Sequence, residues 1–215
     1  MYLAWNKITL PPTATPQEVA RQYEAGYVCT RETKGSMDQT RSLRIDLSQF
    51  ELSSENKRIV KKTEGLELLQ VSLPYANYDW TIGKLAKDFY DTKFGAGTFS
   101  ANKIKEVLTD ETKSNFNTLL LYSMMGKTLG YSICFESDTL LHYSYPFYDL
   151  DASPKDMGMG MMIRAILHAQ AFEKKHIYLG SAQRPGDTYK LQFSGLEWFD
   201  GKEWKINLLE LKTIL

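Results

Sequence analysis

The sequence predicts a mixed α/β fold, with helices packed on a sheet that is partly antiparallel. Three observations predict it. Between residues 117 and 149 the runs "NTLLLYSMMG", "KTLGYSICFES" and "TLLHYSYPFYD" are rich in leucine, β-branched and aromatic residues, and the turns Gly126-Lys127 and Ser137-Asp138 separate them, which makes a three-stranded meander. The stretch "SPKDMGMGMMIRAIL" (153–167) then opens a helical pattern from Met159 to Lys174, and a buried strand "HIYLG" (176–180) follows. Earlier, "SLRIDLSQF" (42–50) sets Leu43, Ile45 and Leu47 against Arg44, Asp46 and Ser48, the alternation of a half-buried strand. Meander, glycine loop, helix and strand in that order give a mixed sheet with helices on it.

The other elements follow in order. "TPQE" (15–18) places Thr15 at an N-cap, Pro16 at the first helical position and Glu18 where a capping box needs it, and Gly26 closes that short helix. "SSENKRIVKKTEG" (53–65) runs from a serine cap to a glycine stop, and "LELLQVSLP" (66–74) reads as a strand. In "WTIGKLAKDFYDTKFG" (80–95), Ile82, Leu85, Ala86 and Phe89 share a helical face, and a further helix begins at Ser100. A boundary near residue 98 divides an N-terminal α/β region, 1–98, from a domain spanning 99–215. An irregular turn, "SAQRPGD" (181–187), and a hairpin around Asp200-Gly201 end the chain.

Composition narrows the function classes. With 43% hydrophobic and 24% charged residues, the 215-residue chain buries an ordinary globular core and is no disordered tail. Lys+Arg and Asp+Glu both number 26, so no overall cationic field draws it to nucleic acid, and any such contact rests on a local patch. The best patch is "NKRIVKK" (56–62): Lys57 with Lys61 and Arg58 with Lys62 stand four apart on one helical face, near Arg41 and Arg44 in sequence. Cys29 and Cys134 lie far apart without metal-ligand spacing, which predicts free thiols and a reducing compartment. His142, His168 and His176 show no ligand spacing either, so no metal is assigned. The opening residues lack a charged segment followed by an apolar one, and no run nears the roughly 20 apolar residues of a membrane helix. The expectation is a cytoplasmic protein without membrane contact.

Gly158 and Gly160 stand at a helix start, where backbone N–H groups lack intrahelical partners and carry positive partial charge. Bare backbone there admits an anionic or carbonyl oxygen, or serves only a tight turn; the residues alone leave both open. Met162, Ile163, Ile166 and Ala169 follow helical spacing as a buried face does.

"KDMGMG" (155–160) after a meander resembles the acyl-donor loop of GCN5-related N-acetyltransferases, with Lys155 in place of the usual Arg or Gln. A second resemblance is more specific. "TRSLRIDLSQFELSSENKRIVKK" (40–62) is similar to the Ser-Leu-Arg segment of arginyl- and leucyl-tRNA–protein transferases and the Ser-x-x-x-[KR]-[RK] run after it. "YPFYDLDASPKDMGMGMM" (145–162) and "HIYLGSAQRPGDTYKLQFSGLEWFDGKEW" (176–204) resemble the same family's Phe/Tyr-Asp-Pro-Asp and Tyr-Leu-Gly…Tyr-Lys-x-x-Phe blocks, in the family's order.

The resemblance implies an acyltransferase-like domain over 99–215 and an enzyme that moves arginine or leucine from aminoacyl-tRNA to the N-terminal α-amine of an acceptor protein with an acidic first residue, as in N-degron tagging. Aminoacyl-tRNA is then a co-substrate, no separate cofactor is needed, and DNA is no partner. The matched positions are Arg41 and Arg44; Tyr148, Asp149, Asp151 and Gly158; and Tyr178, Leu179, Gly180, Tyr189, Lys190 and Phe193. They imply Asp149, Tyr148, Lys190 and Tyr189 as catalytic candidates. Lys155, Gly158, Gly160, Tyr178, Leu179 and Gly180 are the donor-binding ones, and Arg41, Arg44, Lys57, Arg58, Lys61 and Lys62 the tRNA-binding ones. An aminoacyl ester is already activated, so positioning, proton removal and oxyanion stabilisation suffice, and Asp149 is expected to orient or deprotonate the amine. The family's cysteine cluster before Ser-Leu-Arg is missing: "KGSMDQT" (34–40) holds none. Leu150 replaces the family proline, and Ser181 an aromatic residue. Two alternatives stand beside this reading, an N-acyltransferase using acyl-CoA and a non-catalytic relative that binds tRNA or protein N-termini.

Overall fold

The computed structural model describes residues 2–215. Capping residues start most helices. Thr15 forms the expected capping box with Glu18 ahead of α1 (Pro16–Glu24), and Ser53 caps α2 (Ser54–Lys62) through Asn56. Asp79 caps α3 (Trp80–Phe94) and Ser100 caps α4 (Ala101–Thr109). The helix after the glycine loop, α5, spans Met157–Ala171, two residues earlier than expected at its start and three at its end. Asp156 adopts a left-handed conformation (φ 70°), turning the chain into the helix ahead of both glycines. A short α6 (Leu208–Thr213) closes the chain.

Strands β1 (Asn6–Thr9), β2 (Tyr27–Cys29) and β3 (Ser36–Gln39) form a small antiparallel sheet in the order β1-β3-β2, which the sequence reading did not anticipate. The main sheet has eight strands: β4 (Ser42–Asp46), β5 (Glu67–Ser72), β6 (Thr118–Met124), β7 (Lys127–Glu136), β8 (Leu140–Tyr148), β9 (His176–Ser181), β10 (Leu196–Phe199) and β11 (Trp204–Lys205). Their order is β11-β10-β4-β9-β8-β7-β6-β5, and only β8 and β9 pair in parallel. The mixed α/β fold, the meander and the final hairpin are those expected. Residue 98 falls between α3 and α4, which pack together, and the sheet takes β4 and β5 from before it, so the sheet is not divided there.

Alternation along the strands sends side chains into two cores. Leu120, Tyr122, Cys134, Leu141, Tyr143, Ile177 and Leu179 face α2, α5 and α6; Leu119, Leu121, Ile133, Phe135, Leu140 and Tyr178 face α1, α3, α4 and the small sheet. Met161, Met162, Ile163, Ile166 and Ala169 of α5 enter the first core. Cys29 and Cys134 belong to different cores and are free thiols. In β8 a bulge makes the step from Tyr143 to Tyr145 match a single step, Cys134 to Ile133, in β7. It therefore sends Tyr143 to one face and Tyr145 and Phe147 to the other.

Candidate active site

Parallel pairing of β8 with β9 covers only Leu140–His142 against His176–Tyr178. Beyond it, β8 stays on β7 through Tyr148 while β9 stays on β4 through Ser181, so the two strands part. A cavity of about 670 Å³ fills the gap, large enough for a small-molecule moiety. Much of its wall is aromatic and aliphatic: Phe89, Tyr90 and Phe94 from α3, Tyr143, Tyr145 and Tyr148 from β8, Met159 and Met162 from α5, and Leu179 from β9.

The first turn of α5 enters this cavity at Gly158. A Cβ there would lie 3.3 Å from the Tyr148 ring edge and hydroxyl, so the missing side chain lets Tyr148 lie against the helix start. Burial raises the Tyr148 pKa, and the Gly158 N–H works against that rise by favouring the phenolate. Gly160 does something else. It faces Thr63 at the end of α2, where a Cβ would come within 2.6 Å of the threonine methyl, so it sets how closely α2 and α5 pack. It is buried and does not line the cavity.

Lys190 stands in the 3₁₀ segment Pro185–Gln192 and enters the same space. Its Nζ donates to the Ser181 carbonyl at 3.0 Å and lies 4.0 Å from Asp187. Burial pushes its pKa down; Asp187 opposes the shift and Arg184 adds to it. Carboxylates on the wall are already engaged. Asp156 pairs with Lys62 at 2.9 Å, and Asp187 accepts from the Gln183 and Arg184 backbone N–H groups. Among the described residues, no group of three or more His, Cys, Asp or Glu could hold a metal ion.

Of the catalytic and donor-binding candidates, Tyr148, Gly158, Leu179, Gly180, Tyr189 and Lys190 line the cavity. Four others do not. Asp149 belongs to the turn after β8, where its carboxylate accepts from the Asp151 and Ala152 N–H groups at 3.0 and 2.8 Å, the role of a turn residue rather than of a base in the cavity. Lys155 is exposed on the loop, and Gly160 is committed to helix packing. Tyr178 points to the other side of β9, against Tyr23 and Trp204.

Arg44 also departs from expectation. It is 8% exposed, bonds Glu197 and Glu24 at 2.6 and 2.7 Å, and stacks 3.9 Å over the Trp204 ring, so it is a core ion pair out of reach of a phosphate backbone. Arg41 is half-buried, its Nη1 donating to the Ala182 carbonyl at 3.4 Å. On α2 all four cations are exposed; Arg58 pairs with Glu55 and Lys62 with Asp156, whereas Lys57 and Lys61 make no ion pair among the described residues. The sequence reading missed His142 and the aromatic wall from α3. The signal for part of it was the dense aromatic run Tyr143, Tyr145, Phe147, Tyr148 in one strand.

No family model matches the chain. Among curated proteins it is similar to an aspartate/glutamate leucyltransferase of Ruegeria pomeroyi, 27% identical over 169 residues that cover 76% of this chain and 61% of that one. A protein of the same name from Xanthomonas oryzae pv. oryzae is 30% identical over 81 residues, covering 37% of this chain and 32% of the relative. The chain thus spans less than two thirds of the length of these relatives. Their name bears out the sequence resemblance to aminoacyl-tRNA–protein transferases. Among solved structures it is similar to L-PGS from Bacillus licheniformis, with a TM-score of 0.49 at 12% identity over 78% of this chain and 52% of that one. A GCN5-related N-acetyltransferase from Kribbella flavida gives 0.40 at 11% identity over 88% and 65%.

Proposed function

We propose that the chain transfers leucine, or an apolar amino acid of similar size, from aminoacyl-tRNA to the α-amine of a protein that begins with aspartate or glutamate. The observation that carries this reading is the parting of β8 and β9 around a largely apolar cavity that the start of α5 enters. Such a cavity suits an apolar donor side chain. A guanidinium asks for a carboxylate with both oxygens open, whereas Asp156 pairs with Lys62 and Asp187 gives one oxygen to two backbone N–H groups. The name of the curated relatives, aspartate/glutamate leucyltransferase, agrees with leucine and with acidic acceptors. Lys190 gives an acidic acceptor side chain a buried positive partner, and Arg184 and Lys93 on the same wall add charge of the same sign.

The chemistry needs no nucleophilic side chain. The acceptor amine attacks the ester carbonyl directly, and the enzyme supplies alignment, a dry pocket and donors for the developing oxyanion. The positive end of α5 favours negative charge at Gly158. Lys57 and Lys61, exposed on α2 beside α5, suit the phosphates of the donor's acceptor stem. No helix among the described residues is long and apolar enough to cross a membrane. A cytoplasmic site of action, where charged tRNA and new N-termini meet, belongs to the same proposal.

The test is incubation with mixed charged tRNAs and peptides beginning with Asp, Glu, Lys or Arg, read by mass spectrometry of the N-terminus, with acetyl-CoA as a separate arm. Leucine added to Asp- and Glu-peptides alone is the expected result. Acetylation without aminoacylation moves the assignment to an acyl-CoA enzyme, and modification in neither arm leaves a binding protein.

A further inference from the structure

His142 is the last residue of β8 paired with β9, so its imidazole stands where the strands begin to part, and it lines the cavity. Its Nδ1 lies 2.8 Å from the Tyr23 hydroxyl and 2.8 Å from Ser144 Oγ. Tyr23 is fully buried, and its oxygen already accepts from the Cys29 N–H at 3.3 Å. The phenol proton therefore needs an acceptor of its own, because a buried donor left unmatched is costly. Nδ1 is the strong acceptor within reach; the neighbouring Cys29 sulfur is a weak one. Nδ1 thus carries a lone pair, and the ring proton sits on Nε2.

Nε2 has no hydrogen-bond partner among the described residues. It is also not among the polar atoms sealed without one, such as the Tyr143 hydroxyl, so this edge of the ring is the one that meets the cavity. Burial holds the pKa down to about 3, with Lys190 adding to the effect, and the ring stays a neutral donor.

We propose that His142 donates its Nε2–H to the ester carbonyl oxygen of the bound donor and holds the oxyanion formed there, with Tyr23 and Ser144 as the residues that position it. The assignment rests on the aminoacyl-transfer reading above. In the step, the amine nitrogen bonds to the carbonyl carbon and the π electrons move to oxygen. Collapse breaks the bond to the ribose oxygen, which leaves with the proton the amine gives up. His142 keeps its own proton throughout, so ester and amine become amide and alcohol with no other reactant. An oxyanion donor fixed in a dry site acts on the transition state and little on the ground state.

The experiment measures leucine transfer to an Asp-peptide by wild type, His142→Leu, His142→Gln and Tyr23→Phe. Donor affinity is titrated with the non-hydrolysable amide analogue of leucyl-adenosine, and ring ¹⁵N shifts report the tautomer. The Nε2–H tautomer is expected in wild type and a mixture in Tyr23→Phe. His142→Leu should lose about 10²–10³-fold in kcat with analogue affinity reduced by no more than about tenfold, the share of one ground-state hydrogen bond, and His142→Gln, which keeps an N–H donor, should recover to within about tenfold of wild type. Full activity in His142→Leu, a Gln variant as inactive as Leu despite native melting, or a proton on Nδ1 overturns the proposal. If His142→Leu does not fold, the ring spectrum and the Tyr23→Phe kcat decide. A wild type that neither transfers leucine nor binds the analogue overturns the function itself, and this role with it, a result distinct from any produced by the variants.

Discussion

Gly158 and Gly160 stand one residue apart in the first turn of α5 and face different neighbours. Alanine at 158 places a methyl 3.3 Å from the Tyr148 ring, which can swing into the cavity to make room. Gly158→Ala is therefore expected to weaken donor-analogue binding about tenfold, while the alanine gain in helix propensity, about 1 kcal/mol, keeps melting near wild type. Alanine at 160 comes within 2.6 Å of Thr63, which a turn of α2 holds in place, so the two helices must separate. Gly160→Ala should lower stability by about 1–3 kcal/mol and leave analogue affinity unchanged in the folded fraction. Calorimetry on the two variants distinguishes these outcomes, and equal effects on both quantities would contradict the assignment. Asp149 gives a third test at this scale. Its carboxylate accepts two turn N–H groups, both of which an asparagine oxygen can still accept, so Asp149→Asn should keep transfer within about threefold and cost about 1 kcal/mol. A slowing of about 10²-fold or more would restore it as a base.

At the scale of elements, α2 is a patch that is half neutralised within the molecule. Arg58 and Lys62 have acidic partners, and among the described residues Lys57 and Lys61 have none. Lys57→Gln with Lys61→Gln is expected to weaken tRNA binding alike for all tRNAs and to reduce the salt slope by about 1–2, while Arg58→Gln changes the slope less. A slope unchanged in the lysine pair, measured by filter binding across salt, would leave α2 a solvated face. The same elements show what a sequence discloses. The meander was legible because alternation and two-residue turns are local signals, and the caps of α1 and α2 were legible for the same reason. The insertion of β4 between β9 and β10 was not, since antiparallel pairing across more than a hundred residues leaves no local mark. The cavity was legible on its β9 and Lys190 side, where motifs lie together. Phe89 reads as part of an ordinary helix face with Ile82, Leu85 and Ala86, the pattern assigns Tyr90 and Phe94 to no face, and no local signal shows that α3 packs against β8. Arg44 is next to a basic helix in sequence but not in space, because strand alternation turns it to the face opposite Leu43 and Ile45.

Across the whole molecule, a polar chain runs from Ser144 through the buried His142 and Tyr23 to the ring of Tyr178, and from the Tyr178 hydroxyl to the buried Arg44 and its two glutamates, of which Glu24 is exposed. It links the cavity to the surface at Glu24, and it makes stability depend on pH with a definite sign. His142 is held neutral, its pKa pushed down from 6.5 to about 3, chiefly by burial. Below 6.5 the unfolded chain takes a proton that the folded chain refuses, so this contribution is complete above 6.5 and is lost as pH falls towards 3. His168, also pushed down chiefly by burial, acts in the same direction. Glu24 is held at about 2, first by its hydrogen bond to His176 and then by Arg44, so its contribution is present above 4.5 and is lost between 4.5 and 2. Urea midpoints should therefore fall in two stages as the solution is acidified from neutrality. His142→Gln should flatten the first stage, leaving the share of His168, and Glu24→Gln should flatten the second. Wild-type midpoints that stay level from pH 7 to about pH 5 would mean that His142 is charged in the folded protein, and a charged ring could not keep the Nδ1 lone pair that receives the Tyr23 proton.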